Sequence, residues 1–510
     1  MDGAALAGGE AEVEAAVTRC GMVPRPYVAG DCVITAGGRP VARLRGAAVA
    51  LHEGPEGDMD RVTDAPTCRR TADGRPVLAH ESHVARMAED EPARLVRAPG
   101  ERLPTARVRP RLPLGDFLLV SRLEEATGRR RAYRAGSRGT AAHDVPPDPW
   151  YVREHNGTLP QLALMELALQ PCGLLGGAIG VSAEHPDRDF SCRNLEGTAR
   201  LLRRVDPRGT TVRQRGTLRS HTSLPGGIMQ RYDIELLDGD DVFWTGTAVH
   251  GYLTAELLAQ QQGLDDGRCV LPWLDRQPAA PEDVLRRDLS GDTRLGRGRL
   301  ALLADTVVVP RGGDHGRGYV LCDKPVDPDD WFFDHHFLHD PVLPGSVGVQ
   351  TLYQAVHAFA LLTGLTDGMD RPVPEVAVGE ELRWSYRGQI LREHRRVRAE
   401  VHIRDVRRDA GRVLVRADGS VWRDDLRIYR VTGIAVDIGP ASYGRRPPEQ
   451  RSLGRRRAGG RAAGPREAGG WETGGREADG GHEPGGGRET AGGREPAGDR
   501  KTAGGREAGR

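Results

Sequence analysis

The sequence predicts an α+β protein built from two copies of one unit, each a long buried helix laid against an antiparallel sheet. Three observations lead there. Residues 113–270 and 285–440 run through the same order of features. The distances between corresponding features agree over some 50 residues. Each region ends in long alternating segments studded with Arg, the pattern of strands with one face buried.

Taken in order, residues 1–60 hold a short helix-like stretch and then the strand-like pieces Cys32–Thr35 and Val41–Leu51, a partial strand-rich module. Residues 61–112 are rich in Arg, Pro and Glu and read as a linker with one helix, spaced from His80 to Val96. In the first repeat a strand-like Phe117–Arg122 leads to Trp150-Tyr151-Val152, and Pro160 opens a helix over Gln161–Gln170. The apolar run Leu162–Val181 contains Glu166, Gln170 and Pro171. A carboxylate is costly inside a bilayer, so the run is expected as a core helix rather than a membrane span. Thr198–Val205, Thr211–Ser220 and Ile228–Leu253 follow as a meander, the last broken at Asp238-Gly239-Asp240. Residues 271–284, with Pro272, Pro278 and Pro281, connect the repeats.

The second repeat offers Val307–Pro310, then Trp331-Phe332-Phe333, then Pro344 and a helix over Gly345–Leu362. Glu381–Arg387, Arg395–Val406 and Arg412–Asp437 complete it. Pro160 stands six residues before Glu166 and ten before Gln170; Pro344 stands six before Gln350 and ten before Gln354. Residues 441–510 read as a disordered tail. The last 60 residues hold 19 Gly and recurring Gly-Gly-Arg-Glu units, with only Leu453 and Trp471 to anchor a core.

Composition narrows the function. The 510 residues carry 73 basic and 72 acidic side chains, net +1, which argues against a nucleic-acid binder on bulk charge. Seven Cys form no C-x-x-C pair and leave an odd count, so neither a disulfide framework nor a zinc ribbon is indicated, and a reducing, cytoplasmic setting fits. The acidic start Met1-Asp2-Gly3 lacks the apolar stretch of a signal peptide.

The chemistry concentrates in residues 331–350, WFFDHHFLHDPVLPGSVGVQ. Three of the seven Phe (Phe332, Phe333, Phe337) lie beside Trp331, and His335, His336 and His339 lie within five residues. The i, i+4 spacing of His335 and His339 would align metal ligands on a helix. Pro341 and Pro344 follow at once, so a looped segment is expected and no metal site is assigned.

The segment closely resembles the active-site stretch of the bacterial 3-hydroxydecanoyl-acyl-carrier-protein dehydratase family. The resemblance rests on Trp331, Phe332, Phe333, His336, Phe337, Asp340, Pro341, Val342, Pro344, Gly345 and Gly348, with Leu343 the single, conservative departure. It implies the hotdog fold, a long helix wrapped by an antiparallel sheet, here as tandem hotdogs packed as a pseudo-dimer. It places the catalytic His on His336. The family's catalytic acid falls on Gln350, an amide with no acidic proton to give. The corresponding position of the first repeat is Glu166. In such dehydratases each site takes its His and its acid from different partners, so His336 and Glu166 are expected to form one site across the repeats. Gln350 and His155, which stands five residues after Trp150 as His336 does after Trp331, would form a degenerate second site.

The stretches ALMELALQPCG (Ala163–Gly173) and CRNLEGTA (Cys192–Ala199) are similar to the tandem dehydratase region of bacterial polyunsaturated fatty acid synthases, over roughly residues 110–440. Residues 30–52 then resemble the end of an upstream hotdog-like module. The resemblance implies dehydration of 3-hydroxyacyl thioesters to 2-enoyl thioesters without a cofactor. Expected partners are an acyl carrier protein with a phosphopantetheine-linked acyl chain, and other synthase subunits. His336 would take the C2 proton and Glu166, held protonated by apolar neighbours, would protonate the leaving hydroxyl. The helix start at Gly345 would stabilise the enolate-like charge. Trp331, Phe333, Phe337, Pro344 and Tyr353 would line the acyl site. The Arg-rich segments 203–219 and 392–408 are expected as a docking surface or as ordinary solvated strand faces. Alternatives are a hotdog acyl thioesterase, disfavoured by the Asp-Pro-Val-x-Pro-Gly context, and a non-catalytic acyl-binding or scaffold module.

Overall fold

A computed structural model describes residues 11–21, 27–36, 39–50, 70–71, 73–89, 108–127, 135–178, 181, 185 and 187–440. The Gly-rich tail expected over 441–510 lies outside the described residues.

The N-terminal elements are all strands. Ala11–Gly21 (β1), Tyr27–Ala36 (β2) and Arg39–Ala50 (β3) form a three-stranded antiparallel sheet in sequence order. The helix-like stretch expected before Cys32 is therefore β1, whose spacing also satisfies a two-residue period in its pairing with β2. The linker helix is Glu81–Glu89 (α1); its expected continuation to Val96 lies outside the described residues. Val84, Met87 and Ala88 of α1 pack on Leu112, Leu123 and Leu174.

The first repeat contains Arg122–Thr127 (β4), Arg138–Asp144 (β5), a single helical turn at Trp150–Arg153 (α2) and the long helix Gln161–Ala178 (α3). Ser191–Leu201 (β6), Thr211–Leu224 (β7), Gly227–Asp238 (β8) and Asp241–Leu253 (β9) follow. The expected strand at Phe117 begins only at Arg122; Gly115–Phe117 instead forms a 3₁₀ turn. Two short helices, Ala255–Ala259 (α4) and Trp273–Arg276 (α5), cross to the second repeat.

That repeat contains Leu285–Asp288 (β10), Asp305–Val309 (β11), Tyr319–Pro325 (β12), the turn Trp331–His335 (α6) and the helix Gly345–Leu362 (α7). Val373–Val376 (β13), Glu381–Tyr386 (β14), Arg396–Asp409 (β15), Arg412–Arg423 (β16) and Leu426–Gly439 (β17) complete it. The single run expected over Arg412–Asp437 is two strands, since Asp424 takes a positive φ of 52° and turns the chain.

Strand order establishes the repeat. Across the first half the order is β4-β5-β7-β8-β9-β6, and across the second β11-β12-β15-β16-β17-β14, with β10 added outside β11 and β13 beside β17. Corresponding strands occupy corresponding places. β6 and β14, themselves equivalent, pair antiparallel from Glu381 opposite Arg200 to Ser385 opposite Glu196. The two sheets thus become one continuous sheet, and α3 and α7 pack against each other inside it. This is the tandem hotdog arrangement with an internal pseudo-two-fold.

The helices are buried because they are apolar on nearly every side, as a helix enclosed by a sheet must be. Leu162, Leu164 and Met165 of α3 and Val349, Leu352 and Val356 of α7 belong to one cluster with Trp244, Trp384, Val401, Val415 and Ile434. Each fully buried Leu or Val contributes about 1.5–3 kcal/mol. Trp150 and Trp331 meet near the pseudo-two-fold with ring centroids 5.5 Å apart. Their indole N–H groups donate to equivalent carbonyls, Asp116 at 2.9 Å and Arg299 at 3.1 Å. The Arg299 guanidinium lies over both rings and bonds Asp116 at 2.6 Å. Among the described residues no helix is long and apolar enough to cross a membrane.

Candidate active site

Glu166 occupies the second turn of α3 and points into the interface between the repeats. It is 6 % exposed. Its Oε1 accepts a hydrogen bond from Ser346 Oγ of α7 at 2.5 Å, and its Oε2 accepts from Gln170 Nε2 at 2.8 Å. Burial pushes the Glu166 carboxyl above the usual range, with the bonds from Ser346 and Gln170 opposing. The helical i, i+4 spacing puts Gln170 under Glu166. Gln170 is itself clamped: Nε2 also donates to Phe117 O at 2.9 Å, and Oε1 accepts from Leu119 N at 2.7 Å. The equivalent Gln354 donates to Leu300 O at 2.8 Å, the matching 3₁₀ turn of the other repeat. The sequence shows the matched spacing of Gln170 and Gln354; the backbone turns they grip come from distant segments and are visible only in the fold.

His336 follows the turn α6. The segment expected to be looped is helical through His335, because Phe332 and Phe333 are pulled into the core, and becomes irregular beyond it. His339 has a positive φ of 64°, so His335 and His339 do not share a helix face. Among the described residues no group of three or more His, Cys, Asp or Glu side chains is placed to hold a metal ion. The Nδ1 of His336 lies 3.0 Å from Val342 O. A carbonyl only accepts, so Nδ1 carries the proton and Nε2 keeps its lone pair. Loss of hydration lowers the His336 pKa to about 4, with Val342 and Asp340 opposing, and the ring is neutral at pH 7.

The loop after His336 is held from the other repeat. Phe337 N donates to Asp340 O and Asp340 N to Phe337 O, both at 3.1 Å. The Asp340 carboxylate receives two 2.7 Å bonds from Arg193 of β6. Arg193 also donates to Gln389 Oε1 at 2.9 Å and Cys192 O at 2.9 Å. Neither Arg193 nor Gln389 stands out in the sequence as a site residue.

His336, Phe337, Gly345 and Ser346 of the second repeat and Glu166, Gln170 and Arg193 of the first line one cavity of about 110 Å³. Gly345 opens α7 directly behind Pro344, and the N–H groups of the first turn have no intrahelical partner. A Cβ on Gly345 would come within 2.6 Å of the Tyr386 ring, so only Gly allows this approach.

Three residues expected at the acyl site lie elsewhere. Trp331 packs on Phe117 and Trp150 near the pseudo-two-fold. Phe333 lines a separate apolar cavity of about 40 Å³, to which Leu343 contributes a wall. Tyr353 belongs to the opposite pair of repeat positions. Seven residues, about two helical turns, separate Tyr353 from Ser346, and their positions along α7 carry Tyr353 away from the Glu166 site.

At the opposite place His155 and Gln350 meet. Gln350 Nε2 donates to His155 Nε2 at 3.2 Å, and Gln350 Oε1 accepts from Leu162 N at 3.2 Å. His155 Nδ1 is 2.8 Å from Thr158 Oγ1, whose own proton goes to carbonyls. The lone pair that a base would need is thus occupied by an amide. The cavity there is about 10 Å³, room for about one water.

The Arg-rich strands do not present unpaired charge over 203–219. Arg203, Arg204, Arg208, Arg213, Arg215 and Arg219 each face an Asp or Glu.

Comparison with known proteins bears on both repeats. Residues 295–432 match the FabA-like domain. Over 360 residues, 64 % of this chain, the sequence is 33 % identical to one of the component chains of the polyunsaturated fatty acid synthase of Thraustochytrium sp.. That match takes in 24 % of the relative's length. Among solved structures, GphF Dehydratase 1 is 15 % identical with a TM-score of 0.34, covering 61 % of this chain and 98 % of that one. A putative oleoyl thioesterase from Lactobacillus plantarum is 13 % identical with a TM-score of 0.33, covering 60 % of this chain and 96 % of that one.

Proposed function

We propose that the two repeats together form a dehydratase with one competent site, converting 3-hydroxyacyl thioesters to 2-enoyl thioesters and water. The observation that carries this reading is the shared cavity. It brings a neutral imidazole from one repeat and a buried carboxyl with a raised pKa from the other to one space. An acid–base pair with pKa values pushed in these directions suits proton removal and proton delivery in one turnover.

His336 Nε2 takes the C2 proton of the substrate. The electron pair of that C–H bond forms the new C2–C3 double bond as the C3–O bond breaks. Glu166 gives its proton to the departing hydroxyl, which leaves as water. The imidazolium and carboxylate then exchange a proton through solvent to reset the site. Negative charge on the thioester carbonyl during the step falls at the N-terminus of α7, where Gly345 admits close approach and the helix dipole is favourable. The substrate is taken to arrive as a phosphopantetheine thioester on an acyl carrier protein, in a fatty acid, polyunsaturated fatty acid or polyketide type of synthesis. Similarity to a chain of such a synthase supports that reading.

The test is incubation with 3-hydroxyacyl and enoyl thioesters while enoyl absorbance and free thiol are followed. Dehydration without thiol release is expected. Thiol release makes the protein a thioesterase, and neither signal leaves an acyl-binding module. His336→Ala and Glu166→Gln are each expected to lower the rate by about 10²–10⁴-fold. Full activity of Glu166→Gln would overturn the cross-repeat site.

A further inference from the structure

We propose that the Tyr386 hydroxyl is a third catalytic group of this site, forming with the first N–H groups of α7 the set of donors that receives the thioester oxygen as charge builds on it. The inference rests on the dehydratase reading above and adds a residue that neither the sequence motif nor the repeat symmetry points to.

Tyr386 ends β14, the first long strand after α7. It is 5 % exposed, and its hydroxyl has no hydrogen-bond partner among the described residues. It lines the same cavity as Glu166, His336, Gly345 and Ser346. Its ring lies directly over Gly345: a Cβ built there would stand 2.6 Å from Cε2 and 3.1 Å from the hydroxyl oxygen. The hydroxyl is therefore held at the N-terminus of the helix. The Tyr429 ring packs against Tyr386 at a centroid distance of 4.3 Å, so the phenol is braced.

A buried hydroxyl without a partner costs about 1–3 kcal/mol, and native structures retain such groups where a ligand completes them. Burial, together with Tyr429 and Glu166 nearby, raises the phenol pKa well above 10, so the group donates and does not act as a base. The carboxyl next to it is already engaged by Ser346 and Gln170 on its two oxygens. What the cavity lacks is an acceptor for the phenol, and a thioester carbonyl seated at Gly345 supplies one. As C2 loses its proton to His336, the carbonyl oxygen gains negative charge, and a fixed O–H donor beside it strengthens its bond in step.

Tyr386→Phe tests this while keeping the ring on Gly345. With a 3-hydroxyacyl thioester the expected result is a fall in kcat of about 10²–10³-fold, the range for loss of one such donor. KM should change by less than about threefold, since ground-state binding of a neutral carbonyl adds little. Both limbs of the pH–rate profile should stay in place, and thermal stability should hold or rise, since an unpaired buried hydroxyl is removed. A kcat within about threefold of the parent overturns the proposal. So does a displaced limb, which would mean that Tyr386 acts through Glu166. So does a rate loss accompanied by a lower Tm. Failure is separable from failure of the underlying reading: an inactive parent protein removes both, whereas an active parent with an equally active Tyr386→Phe removes only this one.

Discussion

Arg193 and Asp340 provide the sharpest energetic test of how the two repeats hold one site. The pair makes two 2.7 Å bonds, and the side chains are 11 % and 13 % exposed. Removing one partner from a fully buried pair costs about 3–5 kcal/mol, because the other charge is left desolvated. The residual exposure allows some rehydration, which points to the lower end, about 3 kcal/mol for Arg193→Met. Arg215 and Glu235 give a contrast within the same sheet: their 2.9 Å contact lies between side chains 47 % and 41 % exposed, and such pairs contribute about 0.2–1 kcal/mol. The assay is urea unfolding of Arg193→Met, Asp340→Asn and the double variant, read at constant m, with the matching cycle for Arg215 and Glu235. The expected coupling is about 2–3 kcal/mol for the first cycle and at most about 0.5 for the second. Dehydration at a temperature where all variants are folded should fall at least tenfold in Arg193→Met, because Asp340 N and O fix Phe337 next to His336. A coupling below about 0.5 kcal/mol, or normal kcat/KM in a destabilised variant, would refute the idea that this bridge positions the His336 loop.

Other expectations follow from particular contacts. Ser346→Ala removes a donor that favours the ionised Glu166. The carboxyl pKa should rise further and the basic limb of the pH–rate profile should move upward; a downward move would contradict Glu166 as the acid. Gly345→Ala forces a Cβ against the Tyr386 ring and should lose both stability and activity, measured by thermal melting and the enoyl signal. Gln350→Glu should not create a second site, since the space beside His155 holds about one water; doubled turnover per chain would contradict that. His155 and His250 have pKa values lowered to about 4 and His357 to about 3, all by burial. Their folded pKa values lie below the unfolded value near 6.5, so their share of stability is intact above that pH and is lost as pH falls toward 4. At pH 5.5 each costs about 1.4 kcal/mol, and melts from pH 7.5 to 5.5 should show a steep loss that His357→Met reduces. Leu343 lines both the 110 Å³ cavity and the apolar 40 Å³ cavity. Leu343→Ala should therefore shift kcat/KM toward longer acyl thioesters, checked with a chain-length series.

Local pattern carried much of the fold. The helix over Gly345–Leu362 has the bounds its sequence pattern implied, because Pro344 presets the entry and the apolar residues continue on every side. The alternating Arg-rich segments are strands because their apolar positions face one side. The misreadings occur where tertiary burial overrides a local signal. Ala11–Gly21 pairs with β2 instead of coiling, and Trp331–His335 turns helical to bury Phe332 and Phe333. At the site, His336, Glu166 and Gly345 are legible from the motif and the matched spacing from Pro160 and Pro344. Phe337 also reaches the cavity, whereas Trp331, Phe333 and Tyr353 do not. Arg193 and Tyr386 carry no local signal, since an Arg in a strand and a Tyr at a strand end have many ordinary roles.

The sequence by itself determined that one unit occurs twice, that the acid missing from the second copy is present in the first, and that the histidine lies in a loop between aromatic residues and a Pro-initiated helix. These are statements about residue identity and spacing, which a chain carries in one dimension. Only the tertiary structure decided that β6 pairs with β14, that Ser346 reaches Glu166, and that Gln350 fills the lone pair of His155. Those contacts join residues 180 or more positions apart. They exist because α3 and α7 can bury their apolar surfaces only against each other inside one continuous sheet, and that requirement acts on the folded whole rather than on any segment of it.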